Sequence, residues 1–317
     1  MYPKELEKVL LNVQKPGRYV GGEINSVVKD KSDVEVRFAF CFPDTYEIGM
    51  SHLGIKILYG AMNQVPYFWC ERVFAPWVDM EQRMREEGVP LYALESGDPV
   101  ADFDFIGFTL QYELSYTNVL NMLQLAGIPL RAADRHDLFH IVAGGGPCAC
   151  NPEPLADFFD LFFLGDGEEV DLEVMELYRQ CKKEGATKAE FLRRAAQVPG
   201  VYVPSLYEVE YHDDGTVKSY TPKGGAPARV EKRVVLDLDK AYYPKSFPVP
   251  MIEVVHDRIA EEVLRGCIRG CRFCQAGFLY RPFREKGIAA IDRQCRDLCA
   301  STGYDEISLS SLSTSDY

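Results

Sequence analysis

Short apolar runs alternate with helix-type patterns over the first two-thirds of the chain. Five runs are rich in β-branched and aromatic residues, as buried parallel strands are, and they lie at 34–40, 69–74, 105–110, 139–143 and 160–164. Helix patterns separate them near 51–64, 77–88, 115–126 and 168–183, and 91–94 is typical of an edge strand. This order predicts an α/β fold with a Rossmann-like doubly wound parallel sheet, which would bind ligands at the carboxyl ends of its strands.

The pattern changes after residue 195. A hairpin is predicted around the Asp214-Gly215 turn, and five prolines follow between 222 and 250. Beyond them the pattern predicts strands at 251–255 and 262–264, a helix at 289–300 and a strand at 306–310. We therefore expect an N-terminal extension (1–32), a Rossmann-like domain (33–195), a hairpin and proline-rich bridge (196–250) and a further strand and helix unit (251–317).

Charge and composition narrow the possible functions. The chain has 317 residues and a net charge of −13, from 48 acidic and 35 basic side chains. Because this acidic excess repels phosphate backbones, a general nucleic-acid coat protein is excluded. No apolar run approaches the roughly 20 residues of a membrane span, and the first residues lack a signal-peptide core. We expect a cytoplasmic protein with no membrane partner, whose ten cysteines are reduced.

Three of those cysteines carry the strongest chemical signal. Cys267, Cys271 and Cys274 have the spacing CxxxCxxC directly after a predicted strand. Three thiolates on one loop can bind three irons of a cubane cluster and leave the fourth iron open to an outside ligand, whereas structural sites normally take four protein ligands. An iron that is open to an outside ligand indicates a catalytic cluster rather than a structural one. The alternative is a zinc site completed by Cys295, Cys299 or His256.

This spacing, with Phe273 just before the last cysteine, resembles the radical S-adenosylmethionine (SAM) superfamily. The flanking segments 262–267 and 275–284 are similar to its cobalamin-binding branch, particularly to bacterial members of unassigned activity. The resemblance implies a [4Fe-4S] cluster on the three cysteines, SAM on the open iron and a 5'-deoxyadenosyl radical. It also implies an electron donor such as flavodoxin or ferredoxin, and makes Arg281 and Arg284 candidate contacts for the SAM carboxylate.

The resemblance further implies that 251–317 begins a radical SAM barrel. A full (β/α)8 barrel takes roughly 250 residues, and far fewer follow residue 250. We therefore expect the chain to be the front part of a longer protein with a further C-terminal domain. Relatives often carry a GGE motif after the second barrel strand to hold the SAM amino group. None is present here, and Ser311, with Ser313 and Asp316 nearby, occupies that position.

For the front domain, the resemblance implies cobalamin at the carboxyl edge of the sheet. Many relatives carry DxHxxG after the first strand, and this chain has Asp44, Tyr46 and Gly49 at those positions, so Tyr46 replaces the cobalt-binding histidine. His52 is a conceivable substitute, although a histidine there more often caps a helix. Contacts to the nucleotide tail are expected from Thr109 and from Gly144 and Gly145. A repurposed Rossmann domain and a nucleotide site remain alternatives.

The leading hypothesis is a radical SAM enzyme of the transferase class that uses cobalamin to methylate or rearrange a small or macromolecular substrate. A second hypothesis is a methylthiotransferase acting on transfer RNA, whose front domain holds a second cluster. A third is a non-catalytic iron–sulfur or zinc module. The sequence does not identify the substrate.

Overall fold

The computed structural model describes residues 6–317, and its centre is a six-stranded sheet. The strands run in the order β2-β1-β3-β4-β5-β6; the first five are parallel and β6 is antiparallel to β5. Their bounds are β1 Val36–Phe42, β2 Phe68–Phe74, β3 Phe105–Thr109, β4 Ile141–Gly145, β5 Leu161–Phe163 and β6 Val201–Tyr202. The five predicted strands are confirmed. The sixth lies in the segment assigned to the bridge, so that the sheet extends past the predicted boundary at 195.

Helices cover both faces of this sheet. They are α1 Leu6–Leu10, α2 Tyr46–Ser51, α3 Leu53–Asn63, α4 Val78–Glu87, α5 Tyr116–Leu125, α6 Gly167–Glu184 and α7 Lys188–Ala195. The helix predicted at 51–64 begins earlier and is split at His52, whose backbone is extended. The edge strand predicted at 91–94 is wrong, because only Tyr92 pairs there, in an isolated bridge to Pro99.

The strands of the sheet are rich in apolar residues because both of its faces are buried. All seven residues of β2 are buried, including Glu71 and Arg72, and six of seven in β1 are buried. The described part of the predicted extension belongs to the same core through Leu6, Val9 and Tyr19. Residues 1–5 lie outside the described residues. The extension is thus part of the front domain.

The C-terminal unit contains short strands around one long helix. The predicted hairpin is confirmed as β7 Tyr207–Tyr211 and β8 Val217–Pro222, followed by β9 Ile259–Glu262, β10 Leu264–Arg265, α8 Ala276–Leu279, β11 Arg284–Glu285, α9 Ile288–Thr302 and β12 Ile307–Ser310. Strands β9 and β12 are parallel and are connected through α9, whereas β10 pairs antiparallel with β11. The strand predicted at 251–255 is wrong; these described residues are irregular.

None of the helices among residues 6–317 combines the length and the apolar character needed to cross a membrane.

Candidate functional site

A cavity of about 430 Å³ lies at the carboxyl edge of the parallel strands. We call it the edge cavity. Its front wall includes Thr109 at the end of β3 and Gly145 at the end of β4, and its opposite wall includes Arg265, Arg281 and Ser311 of the C-terminal unit. Ligand sites of open α/β sheets occur at this edge, and known pockets span about 300–1,000 Å³.

Part of the edge cavity extends between the sheet and the helices α3 and α6. We call this part the inner slot, and its lining is Phe38, Phe40, Leu58, Gly107 and Asp171. A Cβ atom at Gly107 would lie 2.1 Å from the Phe38 ring. No larger residue therefore fits at that position, and the inner slot presents flat aromatic and aliphatic surfaces to a ligand.

Asp171 is the acidic side chain of the inner slot. It is only 6% exposed, and among the residues that the structure describes its carboxyl group has no hydrogen-bond or ion-pair partner. Burial, and secondly the negative charge of Glu168, raise its pKa to about 8. Near neutral pH the group is therefore an uncharged carboxylic acid that borders the cavity.

A polar wall forms where β3 ends and α3 begins. The Nδ1 atom of His52 accepts the backbone N–H of Ile55 at 3.3 Å, and Nε2 of Gln111 donates to Oγ1 of Thr109 at 2.5 Å. Burial lowers the pKa of His52, so its ring is neutral and the accepting Nδ1 leaves the proton on Nε2. In this tautomer His52 caps α3, and its other ring nitrogen is a donor beside Gln111 rather than a metal ligand.

Ion pairs connect the two walls of the edge cavity. Arg265 contacts Glu262 at 2.8 Å and Asp166 at 3.3 Å, and it also pairs with Glu168. Arg284 pairs with the same Asp166 and donates to the Val235 carbonyl at 2.7 Å. Both guanidinium groups are thus engaged within the protein, and Arg284 is committed to structure rather than free for a ligand.

Several residues singled out from the sequence line the edge cavity: Thr109, Gly145, Arg281 and Ser311. The Arg281 guanidinium donates to the Gly277 carbonyl at 3.0 Å and lies over the Phe278 ring. Gly144 precedes Gly145 in β4 and is not part of the cavity lining. A Cβ atom at Gly144 would lie 2.9 Å from both Phe159 and Phe162. Its small size is required by packing.

Three other predicted cofactor residues lie outside the cavity lining. The Asp44 carboxylate accepts the Tyr112 hydroxyl at 2.8 Å. Tyr46 is buried, and its hydroxyl donates to Glu23 at 3.0 Å and accepts the Met251 N–H at 3.2 Å. Gly49 packs under Phe74. Helix α2 therefore directs Tyr46 and Gly49 into the core, away from the cavity.

The packing of Gly49 leads to a direct test. In Gly49→Ala the new Cβ atom would lie 2.2 Å from Cε1 of Phe74, so we expect the free energy of unfolding to fall by about 1–3 kcal/mol. Gly145→Ala is the matched control: its Cβ atom would meet only the Phe163 Cβ at 3.8 Å, and we expect a change within about 0.5 kcal/mol. Urea unfolding measures both. Equal stability of the two variants would contradict a packing role for Gly49.

The three cysteines lie on an open loop after β10. Cys271 is exposed, Cys267 and Cys274 are half-buried, and all three are free thiols. The backbone N–H of Arg269 donates to Sγ of Cys267 at 3.4 Å. The Arg269 side chain pairs with Asp316, which also accepts the Ser313 hydroxyl at 2.7 Å. Phe273 is 92% exposed and makes no wall of the edge cavity.

The loop chemistry fits a cluster better than a single ion. Within residues 6–317, no group of three or more His, Cys, Asp or Glu side chains is arranged to hold one metal ion. One zinc ion needs every sulfur ligand about 2.3 Å away, whereas in a cubane each of the three thiolates binds a different iron. Free thiols with an N–H···S hydrogen bond are the donor set that iron–sulfur clusters use.

Sequence reasoning missed Asp171, and it singled out the loop that contains Gln111 without giving this residue a role of its own. Asp171 occupies the face of α6 whose other members are buried and mostly apolar: Val170, Val174, Met175 and Tyr178. An acidic residue within an apolar helical stripe is a signal that the pattern contained. Gln111 gave no such signal, because its role depends on the loop conformation after β3.

Comparison with known proteins agrees with this architecture. Residues 54–204 match a family model described as "Radical SAM proteins, N-terminal", a stretch that runs from α3 to just beyond β6. The chain is also 26% identical over 280 residues to an uncharacterized protein of Methanocaldococcus jannaschii, a match that covers 88% of this chain and 50% of that protein. The chain thus spans about half the length of this curated relative.

Two solved structures share the fold. One is the radical SAM methyltransferase TsrM from Kitasatospora setae with tryptophan substrate and a SAM analogue bound, at 13% identity and a TM-score of 0.50, covering 88% of this chain and 48% of that one. The other is the cobalamin-dependent SAM radical enzyme OxsB with aqua-cobalamin and SAM bound, at 13% identity and a TM-score of 0.51, covering 87% and 34%. The mixed α/β fold with its mostly parallel six-stranded sheet is therefore similar to that of radical SAM enzymes.

Proposed function

We propose that the chain belongs to a radical SAM enzyme that uses cobalamin. The observation that carries the proposal is the edge cavity itself, because one wall is the carboxyl edge of the sheet and the other belongs to the unit that bears the cysteine loop. A corrinoid on the first wall would therefore face a SAM molecule near the second. The solved structures of similar fold, one of them with both ligands bound, support this assignment.

In this proposal Cys267, Cys271 and Cys274 hold the [4Fe-4S] cluster. When bound, the cluster and SAM supply a 5'-deoxyadenosyl radical, and cobalamin supplies a carrier for a methyl group. Ser311 and Arg281 border the edge cavity on the side of this loop and would orient the SAM amino and carboxylate groups. The N–H of Arg269 stabilises the negative charge on the Cys267 sulfur.

The front wall has the features that a large planar cofactor needs. Gly145 leaves the end of β4 open, since a Cβ atom there would meet nothing closer than 3.8 Å. Thr109 and the Nε2–H of His52 are polar groups at the rim. A cavity of about 430 Å³ takes only part of a corrinoid, so the tail would enter the inner slot and the ring would lie across the rim. No imidazole from α2 or α3 would bind cobalt.

The C-terminal unit is proposed to begin a radical SAM barrel. The parallel pair β9 and β12, connected through α9, has the strand–helix–strand form of such barrels. Methyl transfer to an unreactive carbon, or a rearrangement, is the chemistry for which a radical is needed. A flavodoxin or ferredoxin would supply the electron, and the exposed cysteine loop is accessible to one.

The proposal is tested by anaerobic reconstitution of the 317-residue chain with iron, sulfide and hydroxocobalamin. We expect about four irons per chain and a bound corrin absorption band. In Cys267→Ala/Cys271→Ala/Cys274→Ala the irons should be lost and the corrin band kept, because the two cofactors use different walls. The matched control, Cys295→Ala/Cys299→Ala, should keep both, since these thiols lie on α9.

Other results would contradict the assignment in distinct ways. Iron retained by the triple variant would exclude the loop as the cluster site. About eight irons and no corrin band would favour the methylthiotransferase hypothesis, and zinc without iron would favour a non-catalytic module.

A further inference from the structure

The inner slot combines an uncharged acid with apolar, flat walls. Asp171 borders it on α6 and is more than nine-tenths buried. Its Oδ2 atom lies 3.1 Å from the position that a Cβ atom of Gly167 would occupy, and a methyl group of Leu58 lies equally close to that position. Gly167 thus leaves room beside the carboxyl group. The other slot residues, Phe38, Phe40 and Leu58, offer no polar side-chain atom.

The carboxyl group of Asp171 opens to the inner slot, so that a ligand there can supply the hydrogen-bond partner that the protein does not. The charged groups around Asp171 restrict what can complete it. Glu168 on the same helix is negative and is held by Arg265, so an anionic ligand would be repelled. The slot walls favour a flat apolar group. The remaining choice is an uncharged aromatic ring that carries one hydrogen-bond acceptor.

We propose that Asp171 donates a hydrogen bond to the ring nitrogen of the heterocyclic base at the end of the corrinoid tail, and thereby selects complete cobalamins over corrinoids without a base. This inference rests on the proposed function and identifies Asp171 as a specificity-determining residue. It assigns the inner slot to the base and leaves the corrin ring to the rim of the edge cavity. The base would have to be free of cobalt to accept this bond.

The inference predicts how affinity changes with pH. Above its pKa of about 8, Asp171 is a carboxylate and cannot donate. Of the groups around it, Cys70 on β2 has a pKa raised well above its ordinary value and Arg265 stays charged. Lys56 on α3 has a pKa of about 8, and burial lowers the pKa of Lys232, which also lines the edge cavity. A loss of affinity over that range therefore reports on Asp171 when it is absent in Asp171→Asn.

The test compares cob(II)alamin with cob(II)inamide, which lacks the base, by anaerobic equilibrium dialysis of the 317-residue chain. In Asp171→Leu we expect the Kd of cob(II)alamin to rise about tenfold at pH 7, the size expected for one lost buried hydrogen bond. The Kd of cob(II)inamide should change less than about twofold. Asp171→Asn keeps an N–H donor and should stay within about threefold of wild type.

Two further readouts complete the test. Between pH 7 and 9 the affinity of the wild-type chain for cob(II)alamin should fall about tenfold, whereas Asp171→Asn should show no such fall. Electron paramagnetic resonance of the bound cob(II)alamin should lack the nitrogen coupling of a base on cobalt. The surface variant Asp157→Asn controls for loss of an acidic group, because Asp157 pairs with Arg131 in solvent.

The inference would be overturned by parallel changes in the Kd of both corrinoids, or by no change in Asp171→Leu. Either result with both corrinoids still bound to the wild-type chain would leave the proposed function standing. If neither corrinoid binds the wild-type chain, both proposals are wrong.

Discussion

Replacing Arg72 by methionine is expected to lower the free energy of unfolding by about 3–5 kcal/mol, because it leaves two buried carboxylates without a counter-charge. The Arg72 side chain is 2% exposed and lies 2.8 Å from Glu23 and 2.6 Å from Glu95. Both glutamates are buried. Arg72 also donates to the Ser26 hydroxyl at 2.9 Å, so the variant loses a complete hydrogen-bond network.

Urea unfolding at pH 7 measures this loss. The triple variant Glu23→Gln/Arg72→Met/Glu95→Gln should recover part of it, since it removes the uncompensated charges together with the cation. Arg83→Met is the exposed control. Arg83 pairs with Glu86 at 3.0 Å but is 43% exposed, and such surface pairs contribute at most about 1 kcal/mol. A similar small loss for Arg72→Met would show that the buried network does not hold the extension to the sheet.

Five of the six strands of the front sheet were predictable because each is mostly apolar. Both faces are covered, so the apolar runs at 34–40 and 105–110 stand out from their surroundings. The segment 251–255 is also mostly apolar and forms no strand; Val254 instead packs on the front-domain core. Composition alone cannot distinguish these cases.

The N-terminal extension is held by long-range contacts, which local sequence patterns do not indicate. Glu23 pairs with Arg72 across 49 positions of the chain, and Tyr46 bridges Glu23 and Met251. No periodicity encodes such long-range contacts. They explain why Tyr46, which occupies the position of the cobalt-binding histidine of relatives, has its hydroxyl engaged in the core.

The residues of the candidate site also fall into two groups: those that a local sequence pattern indicates, and those that only the folded chain brings together. The cysteine loop stands out in the sequence, because three cysteines lie within eight residues. The edge cavity needs the ends of β3 and β4, the start of α6 and the C-terminal unit together. The resemblance predicted Thr109 and Gly145, which both lie at the carboxyl ends of parallel strands and therefore at one edge of the sheet. Asp171 lies one turn after the start of α6. Sequence reasoning looked for site residues in the loops and therefore did not find it.

Asp171 should also make the stability of the ligand-free chain depend on pH. Its pKa is about 8 in the folded chain and lies near the ordinary 3.8 when the chain is unfolded. Between these values the folded state binds the extra proton, so the free energy of unfolding falls as pH rises, by about 1.4 kcal/mol per pH unit. From pH 5 to 8 we expect a loss of about 3–4 kcal/mol from this group.

Asp171→Asn isolates this contribution, because the amide does not ionise. Other buried acids share the trend: burial raises the pKa of Glu71 to about 7 despite its pairing with Arg37, so the wild-type curve alone is not diagnostic. The difference between variant and wild type should be small near pH 4 and should grow steadily to pH 8, where the variant is the more stable protein. Urea unfolding at each pH gives both curves. Parallel curves would mean that Asp171 is already ionised or partnered in the folded chain, and would remove the neutral donor on which selection of a complete cobalamin depends.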